Sequence, residues 1–434
     1  MPLDGTKAPQ EARFDRALFD VARQPNGHLI RSNATGVGVD EPGVIEDRRR
    51  NGRRSEQGAM HNVGHIFANG DILGKPTRNV SPGLTGVTAL LLVLVGCALA
   101  TREAWQSPVE RTHPLVGRIW DVNEARFLDG PELIDRLASH RFVLLGEKHD
   151  NADHHRLQAR IVEGLVAAGR RPAVAFEMLS VDLGPVLTET LAQASVRSDT
   201  VREAVRWDES GWPEWKLYRP IFEAALRAHL PIAAADLGRS SSESIHRHGL
   251  GGLGPTVLVR LGLDAPPSQA QRQAMASEIW EAHCGHAPEH LFERMVDMQC
   301  ARDAHLAREI VEASLLPQAD GAVLIAGTGH VRRDLGVPIH LVRLAPKAAV
   351  ASVAFLEVVP GQSSPEQTFG DRPDVTAPFD YVWYTPRVDD RDPCQTFRER
   401  LHQLHEKAPR SHILRQPQTG PSQGAPVLAS FASM

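Results

Sequence analysis

Apolar and polar positions alternate in blocks through the middle of the chain. Strand-like runs occur at Arg141 to Gly146, Pro172 to Glu177, Pro231 to Asp236, Ala322 to Gly327, Ile339 to Leu344, Val350 to Val359 and Tyr381 to Thr385. Between several of them lie helix-length amphipathic stretches: Asp153 to Ala168, Leu183 to Ala194, Pro220 to His229, Pro267 to His283 and Glu289 to Ala313. Strands that alternate with helices imply βα units. The predicted fold class is therefore α/β, a single core domain with a mainly parallel sheet and helices on both faces. The late strands lie closer together, which predicts an antiparallel edge or hairpin there. Arg239 to Gly262 begins rich in Ser, Gly and His and breaks the alternation, so it reads as a loop or insertion near the site, with a lid as one form of it. Asn151 or Asp153 is placed to cap the helix that carries His154 and His155.

The flanks differ from this middle. Residues 1–80 are polar and lack sustained apolar periodicity, which predicts a disordered or wrongly assigned extension. Val87 to Ala100 is apolar, but shorter than the ~20 residues of a membrane-spanning helix. Lys75 and Arg78 lie upstream, and Leu94-Val95-Gly96-Cys97 looks like a bacterial lipobox. Residues 81–97 therefore read as a lipoprotein signal peptide with Cys97 as the lipidated residue, and a buried helix or uncleaved anchor is the alternative. Residues 98–112 read as a tether, 113–400 as the α/β domain and 401–434 as a disordered tail. A signal so far from Met1 suggests Met60 or a later codon as the initiator.

Charge narrows the partners. The chain has 434 residues and a net charge of −5, without a basic run interleaved with aromatics, so nothing asks for nucleic acid. Cys97, Cys284, Cys300 and Cys394 are too scattered for a disulfide scaffold or a paired-cysteine zinc site. If Cys97 is acylated, an odd number of thiols remains.

Chemistry concentrates at strand ends. Two Gly-x-x-His signatures, Gly146-Glu147-Lys148-His149 and Gly327-Thr328-Gly329-His330, each follow an apolar run. Ligands collect outside the carboxyl ends of strands in open α/β sheets, so the two imidazoles point to one site. Glu147, His149 and Asp150 end the first strand-like run, Glu177 the second, Asp236 the third and His330 the fourth. His149, Glu177 and His330 are a ligand set suited to a divalent metal with an open position. The same groups could instead form a satisfied ion-pair network, with Arg156, Arg160, Arg332 and Arg333 as cations. Adjacent on a helix, His154 and His155 face different ways, so at most one shares the site. His283-Cys284-Gly285-His286 reads as a helix end with a glycine stop rather than a metal motif. Trp207, Trp212 and Trp215, followed by Tyr218, could plug the core or wall a flat pocket. Tyr218, Tyr381 and Tyr384 are the only tyrosines, and any of them could ligate ferric haem iron.

Taken in order, Leu144 to His155, Phe176-Glu177-Met178, Trp215 to Pro220, Met295 to Ala304 and Leu324 to Asp334 resemble motifs of the ChaN-type cofacial haem-binding lipoproteins. The resemblance runs from Trp120 to Cys394. It implies a haem-binding lipoprotein of haem and iron uptake at the bacterial outer membrane, facing periplasm or surface, a homodimer holding haem pairs. Tyr218 and His154 are then the residues assigned to the haem. The superfamily also contains Tiki metalloproteases and erythromycin esterases, whose active site maps by position to Glu147, His149, Glu177 and His330. A metal-dependent hydrolase is accordingly the rival expectation, with Glu147 as general base beside a metal on His149, Glu177 and His330.

Overall fold

The computed structural model describes residues 104–265, 267–286, 289–369, 378–392, 394–399 and 402. The expectations for 1–80, for the signal with Cys97 and for most of 401–434 fall outside these residues. In chain order the elements are β1 (Ile119–Asp121), β2 (Arg126–Leu128), α1 (Gly130–Ala138), β3 (Phe142–Glu147), α2 (Ala152–Ala167), β4 (Ala173–Ser180), α3 (Gly184–Leu191), α4 (Ser198–Ala204), α5 (Trp215–Arg227) and β5 (Ile232–Asp236). There follow α6 (Arg239–His248), α7 (Pro255–Leu261), α8 (Gln269–Ala282), α9 (Glu289–Ala313), β6 (Ala322–Gly327), α10 (Val337–Leu344), β7 (Val350–Glu357), α11 (Glu366–Phe369) and β8 (Tyr381–Thr385).

The strands form one sheet in the order β2-β1-β8-β7-β3-β6-β4-β5. Six neighbouring strands, β8 to β5, run parallel, and β1 pairs antiparallel with both β8 and β2. The antiparallel edge exists, but its partner comes from the start of the domain rather than from a late hairpin. Alternate side chains serve two cores: Val143, Leu145, Val323 and Ile325 join residues of α1, α2 and α5, whereas Phe142, Leu144, Leu324 and Ala326 join α9 and α10. Burial on both faces is why these strands read as unbroken apolar runs.

Three expectations are corrected. Ile339 to Leu344 is helical: Pro338 lies in the first turn of α10, and Val337 and Leu341, four apart, are buried while Val342 is exposed. A six-residue run is too short to separate the two periods. The stretch after Arg239 is not loop but α6 and α7, which place Ile245 and Leu261 in a third apolar cluster with Met275, Val296 and Cys300. Gly249, Gly254 and Gly262, with φ of 66°, 75° and 71°, end or begin its short helices in conformations that other residues avoid. The described part of the expected tether is docked: the Gln106 and Ser107 amides donate to the Asp153 carboxylate at 2.9 and 2.8 Å, and Trp105 packs on the first core. Among the described residues no helix is long and apolar enough to cross a membrane.

Candidate functional site

Parallel pairing of β3 with β6 sets Gly146 beside Ala326 and Glu147 beside Gly327, so the two Gly-x-x-His signatures leave the sheet side by side. Each glycine clears space for the other signature. A Cβ on Gly146 would lie 2.3 Å from Val331 Cγ2, and one on Gly327 would lie 3.0 Å from His149 Nε2 and 3.6 Å from Glu177 Oε2. Regular pairing of β4 breaks after Phe176, and there Glu177 Oε2 accepts the Gly327 amide at 2.7 Å.

One half of the site is built on Glu147. Its Oε1 accepts from Tyr218 Oη at 2.7 Å and from His149 Nδ1 at 2.9 Å, while His155 Nδ1 stands 3.1 Å from Oε2. His155 Nε2 meets the His149 carbonyl at 3.0 Å and its Nδ1 meets Gln158 Oε1 at 3.2 Å, while Gln158 spends its amide on the Leu145 carbonyl. Both ring nitrogens therefore face acceptors, which makes His155 an imidazolium. Burial pushes Glu147 up, but His155 and His149 outweigh it and hold the carboxyl well below the usual range. Burial and the same carboxylate push the Tyr218 phenol well above its ordinary value.

The other half is built on Glu177. Its Oε1 takes Arg302 Nη2 at 2.6 Å and His330 Nε2 at 3.2 Å, and Arg302 Nε reaches Asp236 at 2.8 Å. His330 Nδ1 meets Asp303 Oδ1 at 2.6 Å with Gln299 Nε2 at 3.1 Å. Carboxylates on both nitrogens hold His330 as a cation: burial would lower it, yet Glu177 and Asp303 raise it to about 10. Burial likewise disfavours the Glu177 charge, and His330 and Arg302 reverse that, holding it well below the carboxylate range. The two halves face each other across Gly327. Trp212 is half-buried and stands edge-on to the His149 ring at 5.0 Å between centroids.

Glu147, His149, Glu177 and His330 thus come together, as the strand-end argument required, but as an ion-pair network. In this structure the residues assigned to a metal, His149, Glu177 and His330, bond instead to one another's neighbours in the network. Both nitrogens of His330 and both oxygens of Glu177 are engaged, and among the described residues no group of three or more His, Cys, Asp or Glu is arranged to hold a metal ion. The network's guanidinium is Arg302, not the four arginines expected: Arg156 pairs with Asp153, Arg332 with Glu278 and Asp334, and Arg333 with Asp380, while Arg160 is exposed. Its signal was present as Gln299, Arg302 and Asp303 at helical spacing on α9.

Neither residue assigned to the haem presents a donor to one. Tyr218 is 0% exposed with its hydroxyl on Glu147, packed on His155 and Trp207. His154 lies outside the network, its Nδ1 accepting from the Lys148 amide and its Nε2 meeting Thr385 Oγ1; burial lowers its basicity well below normal. His155 is the one of the pair that shares the site. His149 Nε2 faces Gly327 from a ring that is only 4% exposed and has Trp212 edge-on to it. Trp207 and Trp215 plug the core, so the tryptophan cluster is mostly packing. Cys284 and Cys394 form a disulfide and Cys300 is a buried free thiol.

A parallel α/β sheet with paired Gly-x-x-His strand ends and a buried Glu/His network defines the class of the protein. A family model described as haem-binding uptake, Tiki superfamily, ChaN matches residues 133–341, which contain both halves of the network. Over this span the chain resembles that family. A 75-residue stretch is 41% identical to a dihydrolipoyl dehydrogenase of Vibrio parahaemolyticus and 40% identical to that of Vibrio cholerae, in each case 17% of this chain. The chain thus spans only 14% of the length of these curated relatives. Among solved structures, one titled for cofacial haem binding to ChaN of Campylobacter jejuni aligns with a TM-score of 0.47 and 20% identity, over 61% of this chain and 95% of that one. An erythromycin esterase mutant in its open conformation aligns with a TM-score of 0.32 and 15% identity, over 60% and 81%.

Proposed function

We propose that this chain binds haem as a lipid-anchored protein of the bacterial outer membrane, serves haem or iron uptake, and holds its haem between two copies. The observation that carries this reading is the family match over 133–341. Two features independent of it favour an exported protein: the lipobox ending in Cys97, and the Cys284–Cys394 disulfide, a bond that persists in oxidising compartments. The haem belongs on the outside of the domain, because the buried network leaves no donor facing a macrocycle. The network is then a rigid floor for that surface.

Metal-dependent hydrolysis is the weaker reading. A general base works best with a pKa near the operating pH, and Glu147 is held well below its ordinary range beside an imidazolium. Titration of the full chain with ferric haem, followed by its Soret band, is expected to give a shift that saturates at a fixed stoichiometry. Absence of a saturating shift overturns the haem assignment. Intact-mass measurement of membrane-extracted protein tests the anchor separately: the mature chain is expected to begin at a diacylglyceryl Cys97, and a form retaining earlier residues rejects it.

A further inference from the structure

Two of the elements around the Glu147–His149 and Glu177–His330 network form facing walls. The turn between β3 and α2 carries His149 and Lys148, and α9 carries Gln299, Arg302 and Asp303. The chain leaving β8 is sewn to the first wall. Asn151 Nδ2 donates to the Pro386 carbonyl at 3.3 Å, and the Val388 amide donates to Glu357, whose carboxylate also takes Lys148 Nζ at 3.1 and 3.2 Å. Asp389 and Arg391 lie within electrostatic range of Lys148 and Asp150. A few residues further on, Cys394 is bonded to Cys284 at the end of α8, just before α9. Around that bond Phe397 stands edge-on to His283, and Trp280 edge-on to Phe292. Beyond Val388 the hydrogen bonds among the described residues of the strap include local ones, Arg391 to Asp389, the Cys394 amide to Asp392, and Thr396 to Asp392.

We propose that residues 386–392 and the Cys284–Cys394 disulfide form a clasp joining the two walls, so that opening this one bond admits solvent to His149 while the sheet stays folded. The disulfide spans 110 residues of sequence, so it closes a long loop between segments that are otherwise far apart along the chain. The insert from α6 to α8 packs on Val296, Cys300, Ala301 and Ala304 of α9 in a small apolar cluster, separate from the two cores that flank the sheet. Such a unit moves with a lower free energy than the core strands do. A dithiol reductant would supply two electrons and two protons; the Sγ–Sγ bond breaks, thiols form at Cys284 and Cys394, and the reductant closes to a cyclic disulfide.

The test is acylation of His149 by diethyl pyrocarbonate, read by peptide mass spectrometry on the full chain. It compares the oxidised protein, the protein reduced by dithiothreitol with its thiols alkylated, and the Cys284→Ser/Cys394→Ser double variant. His140, half-buried at the amino end of β3, serves as the internal reference. The rate at His149 relative to His140 is expected to rise by at least about tenfold on reduction and in the variant, as local opening replaces closure. Amide exchange in β3 and β6 is expected to stay slow throughout. An unchanged rate at His149 overturns the clasp. So does a rise accompanied by loss of protection in β3 and β6, which would make the bond a support of the whole fold.

Discussion

At the scale of single residues, the site is decided by which nitrogen faces which oxygen. His155 and His330 each have both ring nitrogens on acceptors, so each is locked as a cation against a carboxylate, and Arg302 completes the charge balance between Glu177 and Asp236. Buried ions in such an arrangement are costly to orphan, about 3–5 kcal/mol when one partner is removed. The pH dependence of stability follows with opposite signs for the two partners. His330 has a folded value raised from 6.5 to about 10, so its contribution is full below its unfolded value and is lost as pH rises through about 10. Glu177 is lowered, so its contribution is full above its unfolded value of 4.5 and is lost as pH falls below it. Urea unfolding across pH is expected to show a plateau between these limits, and His330→Gln is expected to remove the alkaline limb. An unchanged alkaline limb in that variant would mean that His330 is not held as a cation.

At the scale of elements, the register of β3 against β6 places the signatures, and the two glycines permit it. Gly146→Ala drives a methyl to 2.3 Å from Val331 Cγ2 and 3.0 Å from the Thr328 backbone, inside a packed core. Its expected cost is at least about 1–3 kcal/mol in chemical denaturation, the range for overpacking. Gly327→Ala meets side chains instead, His149 Nε2 and Cε1, so it is expected to cost less stability and to shift the His149 resonances. Equal losses in the two variants, with His149 undisturbed, would contradict the packing described. Asn151 shows how an element start shares in the site: its side chain caps α2 through the Asp153 and His154 amides and also donates to Glu357 and Pro386. The cap was legible from residue type and position, whereas the long-range bonds were not.

At the scale of the whole molecule, segments far apart in sequence close around the carboxyl edge of the sheet. Residues 104–112 pack there through Gln106, Ser107 and the Val109 bridge to Arg387. Removing residues 1–112 is therefore expected to lower stability by about 1–3 kcal/mol relative to removing 1–103, since the buried Asp153 carboxylate loses two amide donors, the buried one of Ser107 and the part-buried one of Gln106. Equal denaturation midpoints for the two truncations would show this docking to be without consequence. The disulfide acts at the same scale. Nothing in the spacing of Cys284 and Cys394 foretold their pairing, because connectivity depends on where the chain returns in space.

By itself the sequence determined the α/β class, most strand positions, the capped start of α2 and the convergence of Glu147, His149, Glu177 and His330 at one sheet edge. These follow from local periodicity and from the rule that parallel strands present their carboxyl ends together. Tertiary structure alone decided that Ile339 to Leu344 is a helix, that Arg302 and Asp303 reach into the site, and that His155 rather than His154 faces Glu147. It also decided that the expected metal ligands are already spoken for by each other. Charge states and open coordination positions are set by distances between side chains from different elements, and those distances exist only once β3, β4, β6 and α9 are packed.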